Sequence, residues 1–229
     1  METKNIALLI CSEIPEHIHI KGDRGHLYHT FISEPGDQWD KYKCYEDEFP
    51  EDLLKYYAFI ITGSSFCAND PHSWIEKLKD LIIKLHKLKK KTLGVCFGHQ
   101  LIAVALGGKV ERVNDDYVPG MYTIQVTDYA YEKFPKLSGY DNLVYTKCHK
   151  DMITKLPHDA KLIGISKETP VEIFTIGNHI LGIQGHPDMG TEVLVKVCKG
   201  LKKEVMFPDK KPTHEINQKI IKDFLKIKN

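Results

Sequence analysis

The chain has 229 residues, 42% hydrophobic and 28% charged, the composition of an ordinary globular protein large enough for one sizeable core. Its 32 basic and 31 acidic residues give a formal net charge of +1, so no global field draws it to nucleic acid or to an anionic membrane. No stretch approaches the roughly 20 apolar residues of a membrane helix. The N-terminal apolar run is too short for a signal peptide, and the expected location is the cytosol. The six cysteines are scattered with no CxxC pair, which excludes the usual zinc and dithiol patterns. In a reducing compartment they are expected to be free thiols.

In chain order, residues 5–11 (NIALLIC) form a continuous apolar run, the pattern of a strand buried on both faces. A polar loop carrying His17, His19, His26 and His29 follows. Without a matching carboxylate or thiolate pattern it reads as surface loop rather than metal site. Residues 25–33 can form a helix, 43–45 a short strand and 57–62 (YAFIIT) a second buried strand. Asn69, Asp70 and Pro71 offer a cap and a proline for a helix start. In 72–91, Trp74, Ile75, Leu78, Leu81, Ile82, Leu85 and Leu88 recur at helical spacing, with lysines on the other face. That lysine face is solvated surface, because no aromatic residues interleave it.

Residues 91–96 read as a third buried strand and 98–106 as a helix. The second half is richer in strands: MYTIQVTD, NLVYTK, AKLIGIS, VEIFTI and HILGIQG. A helix after Met189 and an amphipathic helix over 213–227 close the chain. Strands alternating with helices predict an α/β fold with a mostly parallel central sheet flanked by helices, and nothing marks a boundary within 1–229.

The segment TLGVCFGHQLIAVALGG (92–108) carries a cysteine between two glycines at a strand-to-helix joint. This is the layout of a nucleophile elbow: the turn is too tight for side chains at Gly94 and Gly98, and it lifts Cys96 to a helix N-terminus. Amides and dipole there favour a thiolate and can stabilise an oxyanion. Of the twelve histidines, His186 is the best partner. It follows a buried strand in GIQGHPD, so parallel strands would bring it to Cys96, and Asp188 can orient its imidazole. His99, about one helical turn past Cys96, suits a structural role.

Taken together, GVCFGHQ, the following LGG and GIQGHPD resemble the motifs of the class I glutamine amidotransferases. IITGSS (60–65) resembles that family's oxyanion loop, and KCHKDMI (147–153) its Ser-His-x-Asp segment. GDQWDKYKCYEDEFPEDL and KKKTLGVCFGHQ resemble still more the plant γ-glutamyl peptidases, a branch near the glutaminase domain of GMP synthase. The resemblance implies a flavodoxin-like α/β fold with its site at the carboxyl ends of the strands. It implies that Cys96 attacks a γ-glutamyl carbonyl, with His186 as base and then acid, and Asp188 as its orienting group. The oxyanion hole would be the amides of Phe97 and Gly63, with Ser64 as the alternative to Gly63. Gln100 would contact the glutamyl moiety, and Cys148, His149 and Asp151 would lie beside its α-amino and α-carboxylate groups.

Two positions depart from the family: Asp188 stands where glutamate is usual, and Cys148 where serine is. No metal or cofactor is implied, and the partner is a small γ-glutamyl compound. Hydrolysis of glutathione-type conjugates is the leading expectation. A glutaminase subunit passing ammonia to a partner synthetase and a catalytically weak regulatory homologue are the alternatives. A cysteine α/β-hydrolase with Asp151 as its acid fits the short chain and the adjacent His-Pro-Asp poorly.

Overall fold

The computed structural model describes residues 3–14, 18, 24–113, 116–117, 119–207 and 209–226. The first apolar run forms β1 (Asn5–Ile10), and its side chains alternate between two cores. Ile6, Leu8 and Ile10 enter one core; Ala7 and Leu9 enter the other. The same division holds in β3 (Ala58–Ile61), where Ala58 and Ile60 face one way and Phe59 and Ile61 the other. These strands read as unbroken apolar runs because helices cover both faces of the sheet.

One face carries α1 (Arg24–Ile32) and α6 (His214–Lys226), through Tyr28, Ile32, Ile216 and Ile220. The other carries α2 (Ser73–Lys87) and α3 (Phe97–Ala105), through Ile75, Leu78, Leu101 and Ile102. On α2 the apolar residues read from the sequence are buried from Trp74 to Leu85, whereas Leu88 lies past the helix and is exposed. No helix among the described residues is long and apolar enough to cross a membrane.

Besides β1 and β3, the main sheet takes in β2 (Gln38–Lys43), β4 (Lys91–Val95), β6 (Gly120–Val126) and β7 (Asn142–Lys147). It is completed by β9 (Ala160–Ile165), β10 (Ile173–Ile176) and β11 (Ile180–Ile183). Among the described residues these nine strands stand in the order β2-β1-β3-β4-β11-β10-β9-β6-β7. Pairing is parallel from β2 through β11. It is antiparallel from β11 through β7. The sheet is therefore mixed, with a parallel core flanked by helices. The short α4 (Asp128–Lys133) follows β6, and α5 (Thr191–Leu201) follows β11.

Three local features differ from the sequence reading. The strand expected at 43–45 is β2, at Gln38–Lys43, and Cys44–Glu46 form one tight helical turn closed by Asp47 at φ 66°. As an edge strand, β2 mixes polar and aromatic residues and shows no apolar run. Asp70 does not cap α2: its Oδ2 accepts the Cys67 N–H at 2.7 Å, and the helix begins after His72 without a side-chain cap. A small two-stranded sheet of β5 (Lys109–Arg112) and β8 (Asp151–Lys155) was not foreseen, because its residues are mostly charged. His17 and His19 lie outside the described residues. Among the described residues, no group of three or more His, Cys, Asp or Glu could hold a metal ion.

Candidate active site

The joint between β4 and α3 is where the parallel core turns out its cysteine. Cys96 sits at φ 53°, ψ −102°, a conformation L residues rarely adopt and one that costs on the order of 1–3 kcal/mol. It is held there from both sides: its N–H donates to the Ile183 carbonyl at 2.8 Å, and its carbonyl accepts the Gln100 N–H at 3.1 Å. The flanking glycines are needed for close approach. A Cβ on Gly94 would lie 2.6 Å from the Gly98 carbonyl oxygen, and one on Gly98 would lie 2.4 Å from the Ile61 carbonyl oxygen. Phe97 is the first residue of α3, so its N–H has no acceptor within the helix.

β11 runs parallel to β4, with Ile183 opposite Val95, and the chain leaving it brings His186 to Cys96. The contact is close enough that a Cβ on Gly63 would lie 2.8 Å from His186 Cε1 and 3.5 Å from Cys96 Cβ. His186 Nδ1 is 3.3 Å from Asp188 Oδ1, so the shorter aspartate does reach the ring. The contact is longer than the roughly 2.7–2.9 Å of a tight charge-assisted bond. Both residues are buried. Burial pulls the His186 pKa down, but the negative charges of the Cys96 sulfur and the Asp188 carboxylate outweigh it and push it from 6.5 up to about 10. The imidazolium form of His186 is thereby favoured beside Cys96 and Asp188.

The two other histidines nearby behave in the opposite way. His99, fully buried in α3 with Nε2 3.3 Å from the Val171 carbonyl, is driven by burial down to about 3. His149 is also pulled to about 3, by burial and then by the Lys147 charge, and its Nδ1 lies 3.0 Å from the Asp151 carbonyl. Both are neutral at neutral pH, which suits His99 to the structural role expected of it.

A cleft of about 270 Å³, open to solvent, is lined by Ser64, Ser65, Phe66, Cys96, Gln100, Tyr117 and the four residues Cys148 to Asp151. The residues expected at the substrate are thus brought together around the cysteine. Gln100 Nε2 spends both hydrogens, on the Asp151 carbonyl at 2.7 Å and on Gln184 Oε1 at 3.0 Å, leaving its Oε1 as the free group. Arg112 clamps the Asp151 carboxylate with Nε and Nη2, the latter at 3.3 Å. Ser64 Oγ donates to the Cys11 carbonyl at 2.9 Å, so that hydroxyl holds its own loop.

The Gly63 N–H already donates to the Tyr28 hydroxyl, at a long 3.4 Å. The Ser64 N–H has no partner among the described residues. Sequence reasoning missed Arg112, Phe66 and Tyr117, which stand alone in charged or loop segments with no pattern around them. It also passed over Gln184, although that residue lies inside the GIQGHPD motif.

Residues 41–194 match the family model described as glutamine amidotransferase class-I. The chain is 38% identical to γ-glutamyl peptidase 5 of Arabidopsis thaliana over 208 residues, covering 86% of this chain and 80% of the relative. It is 37% identical to γ-glutamyl peptidase 4 of the same plant, covering 98% of this chain and 96% of the relative. Among solved structures, a glutamine amidotransferase from Thermotoga maritima superposes with a TM-score of 0.70 at 22% identity, covering 96% and 94% of the two chains. That likeness establishes the shared fold.

Proposed function

From the premise that this chain belongs to the class I glutamine amidotransferase family, we propose that it hydrolyses the γ-glutamyl amide bond of glutathione-type peptides and conjugates. The observation that carries this reading is the strained Cys96 elbow, which lines the cleft and faces a protonated His186. The relatives over most of the chain are named γ-glutamyl peptidases, which favours a peptide leaving group over ammonia.

In this mechanism the Cys96 sulfur attacks the γ-carbonyl carbon, and the carbonyl electrons move onto oxygen. The Phe97 N–H and the unspent Ser64 N–H receive that oxyanion, with Gly63 N–H contributing if it leaves Tyr28. His186 then gives its proton to the leaving nitrogen as the C–N bond breaks, producing a γ-glutamyl thioester and a free amine. Neutral His186 next takes a proton from water, whose oxygen attacks the thioester. Glutamate leaves, and the Cys96 sulfur and the protonated His186 return. Asp188 holds the imidazole in the orientation these transfers need. The free Gln100 Oε1 accepts from the substrate α-ammonium, and the segment from Cys148 to Asp151 borders the same end of the substrate. The six cysteines are unpaired thiols, in keeping with a cytosolic setting.

Glutamate release from glutathione, a glutathione S-conjugate and glutamine, each assayed separately, tests the reading. Release from the first two, with little from glutamine, is the expected result. Release from glutamine alone would assign the chain as a glutaminase subunit that serves a synthetase. No release from any of the three would leave the regulatory homologue standing.

A further inference from the structure

His186 lies three residues past the end of β11, and β11 alone does not hold it. In sheet order β7 is the far edge, separated from β11 by β10, β9 and β6. Yet Thr146, on β7, pairs with His186, whose N–H donates to the Thr146 carbonyl at 2.7 Å. The antiparallel strands therefore curl until the edge strand closes on the chain leaving β11. Gly185 permits that closure, since a Cβ there would lie 2.6 Å from Tyr145 Cβ.

Inside the curl is an ion pair. Lys147 Nζ bonds Glu172 Oε1, and their side chains are 2% and 0% exposed. Lys147 also donates to Thr169 Oγ1 at 3.3 Å and sits 4.4 Å from the centre of the Tyr122 ring. Ser166 Oγ donates to Glu172 Oε1 at 2.5 Å. The pair grips both sides of the closure. Lys147 directly follows Thr146, the acceptor of His186. The Glu172 carbonyl accepts the N–H of Gln184 at 2.8 Å, two residues before His186.

Two fully buried charges are a poor way to gain stability, because desolvation cancels most of their attraction and apolar residues of like volume do as well or better. What an ion pair adds is direction, fixing one strand's register against another where apolar contacts would allow sliding. We propose that Lys147 and Glu172 are positioning residues that lock the β7 closure and so hold the His186 imidazole against Cys96. This rests on the Cys96–His186 assignment above.

The test is the double variant Lys147→Met/Glu172→Leu, which removes both charges together. Three measurements are made: its unfolding temperature, kcat and KM on the best γ-glutamyl substrate, and the rate at which iodoacetamide alkylates Cys96, read by mass spectrometry. A fold as stable as the parent is expected, with kcat lowered about 10- to 100-fold, KM changed by less than about 3-fold, and Cys96 alkylated about 10-fold more slowly. A stable variant with parental kcat and alkylation rate would overturn the proposal. If that variant does not fold, Lys147→Gln/Glu172→Gln keeps a hydrogen bond without charge. A roughly 3- to 10-fold loss of kcat and of alkylation rate is then expected, and parental values overturn the idea. The alkylation arm needs no substrate, so an error in the assigned activity is distinguishable from an error in the positioning role.

Discussion

The five strands from β2 to β11 and the four from β10 to β7 meet at one cleft, but they build it by different means. The parallel strands deliver Cys96 through local geometry: a five-residue stretch with glycine at each end makes the elbow, and α3 begins at Phe97, directly after the cysteine. The antiparallel strands deliver support through distant pairing: the Thr146 carbonyl, 40 residues before His186 in the chain, takes the His186 N–H, and the Cys148–Asp151 segment extends from the end of the same strand. The cysteine corner is thus specified by its neighbours in sequence. The histidine that faces it is held by pairing across the sheet.

Three changes would break or sharpen that contrast. The largest effect is expected from Cys96→Ala, which removes the group made by the local half alone. Hydrolysis of the γ-glutamyl bond should fall by at least about 10⁴-fold, while circular dichroism and the unfolding temperature stay near the parent's. Retained turnover would take Cys96 out of the chemistry.

Next is Gly63→Ala, where the two halves touch. The added Cβ would stand 2.8 Å from His186 Cε1 and only in ordinary contact with Cys96 Cβ at 3.5 Å, so it displaces the imidazole and spares the cysteine. The expected outcome is a kcat lowered on the order of 10-fold, the size of effect that a misplaced catalytic group produces, with the fold intact by near-ultraviolet circular dichroism. An unchanged kcat would mean the imidazole has room to move without loss.

The smallest effect is a pH dependence that separates the histidines. His99 and His149 titrate near 3 in the folded chain against about 6.5 unfolded, so below pH 6.5 the unfolded state binds protons that the folded state does not. Their contribution to stability is lost as pH falls from 6.5 toward 3. His186 has the opposite sign. Raised to about 10, its contribution is fully present below 6.5 and is lost as pH rises toward 10. Urea midpoints of the parent and His99→Leu between pH 4 and 7 should show a shallower acid decline in the variant, by about one proton. Parallel curves would place the acid sensitivity elsewhere.

Much of this was legible in the residues because it depends on near neighbours. The unbroken apolar runs of β1, β3 and β4 reflect burial on both faces, which any parallel sheet between helices imposes. Gly94 and Gly98 around Cys96 mark a turn with no space for Cβ atoms. β2, β5 and β8 left no such trace: they are edge or two-stranded elements whose outward residues are polar, so their pairing rests on backbone bonds that every residue can make.

By itself, then, the sequence determined the parallel core and the tight corner that carries Cys96, since both follow from periodicity and glycine sterics within short stretches. Only the tertiary structure decided which loop amide is unspent, that Arg112 neutralises Asp151, and that Lys147 and Glu172 lie buried together behind His186. Those contacts join residues 25 to 39 positions apart. Lys147 meets Glu172 because the antiparallel strands curl back, Arg112 meets Asp151 across the β5–β8 pair, and no local pattern in a chain records where such pairings will close.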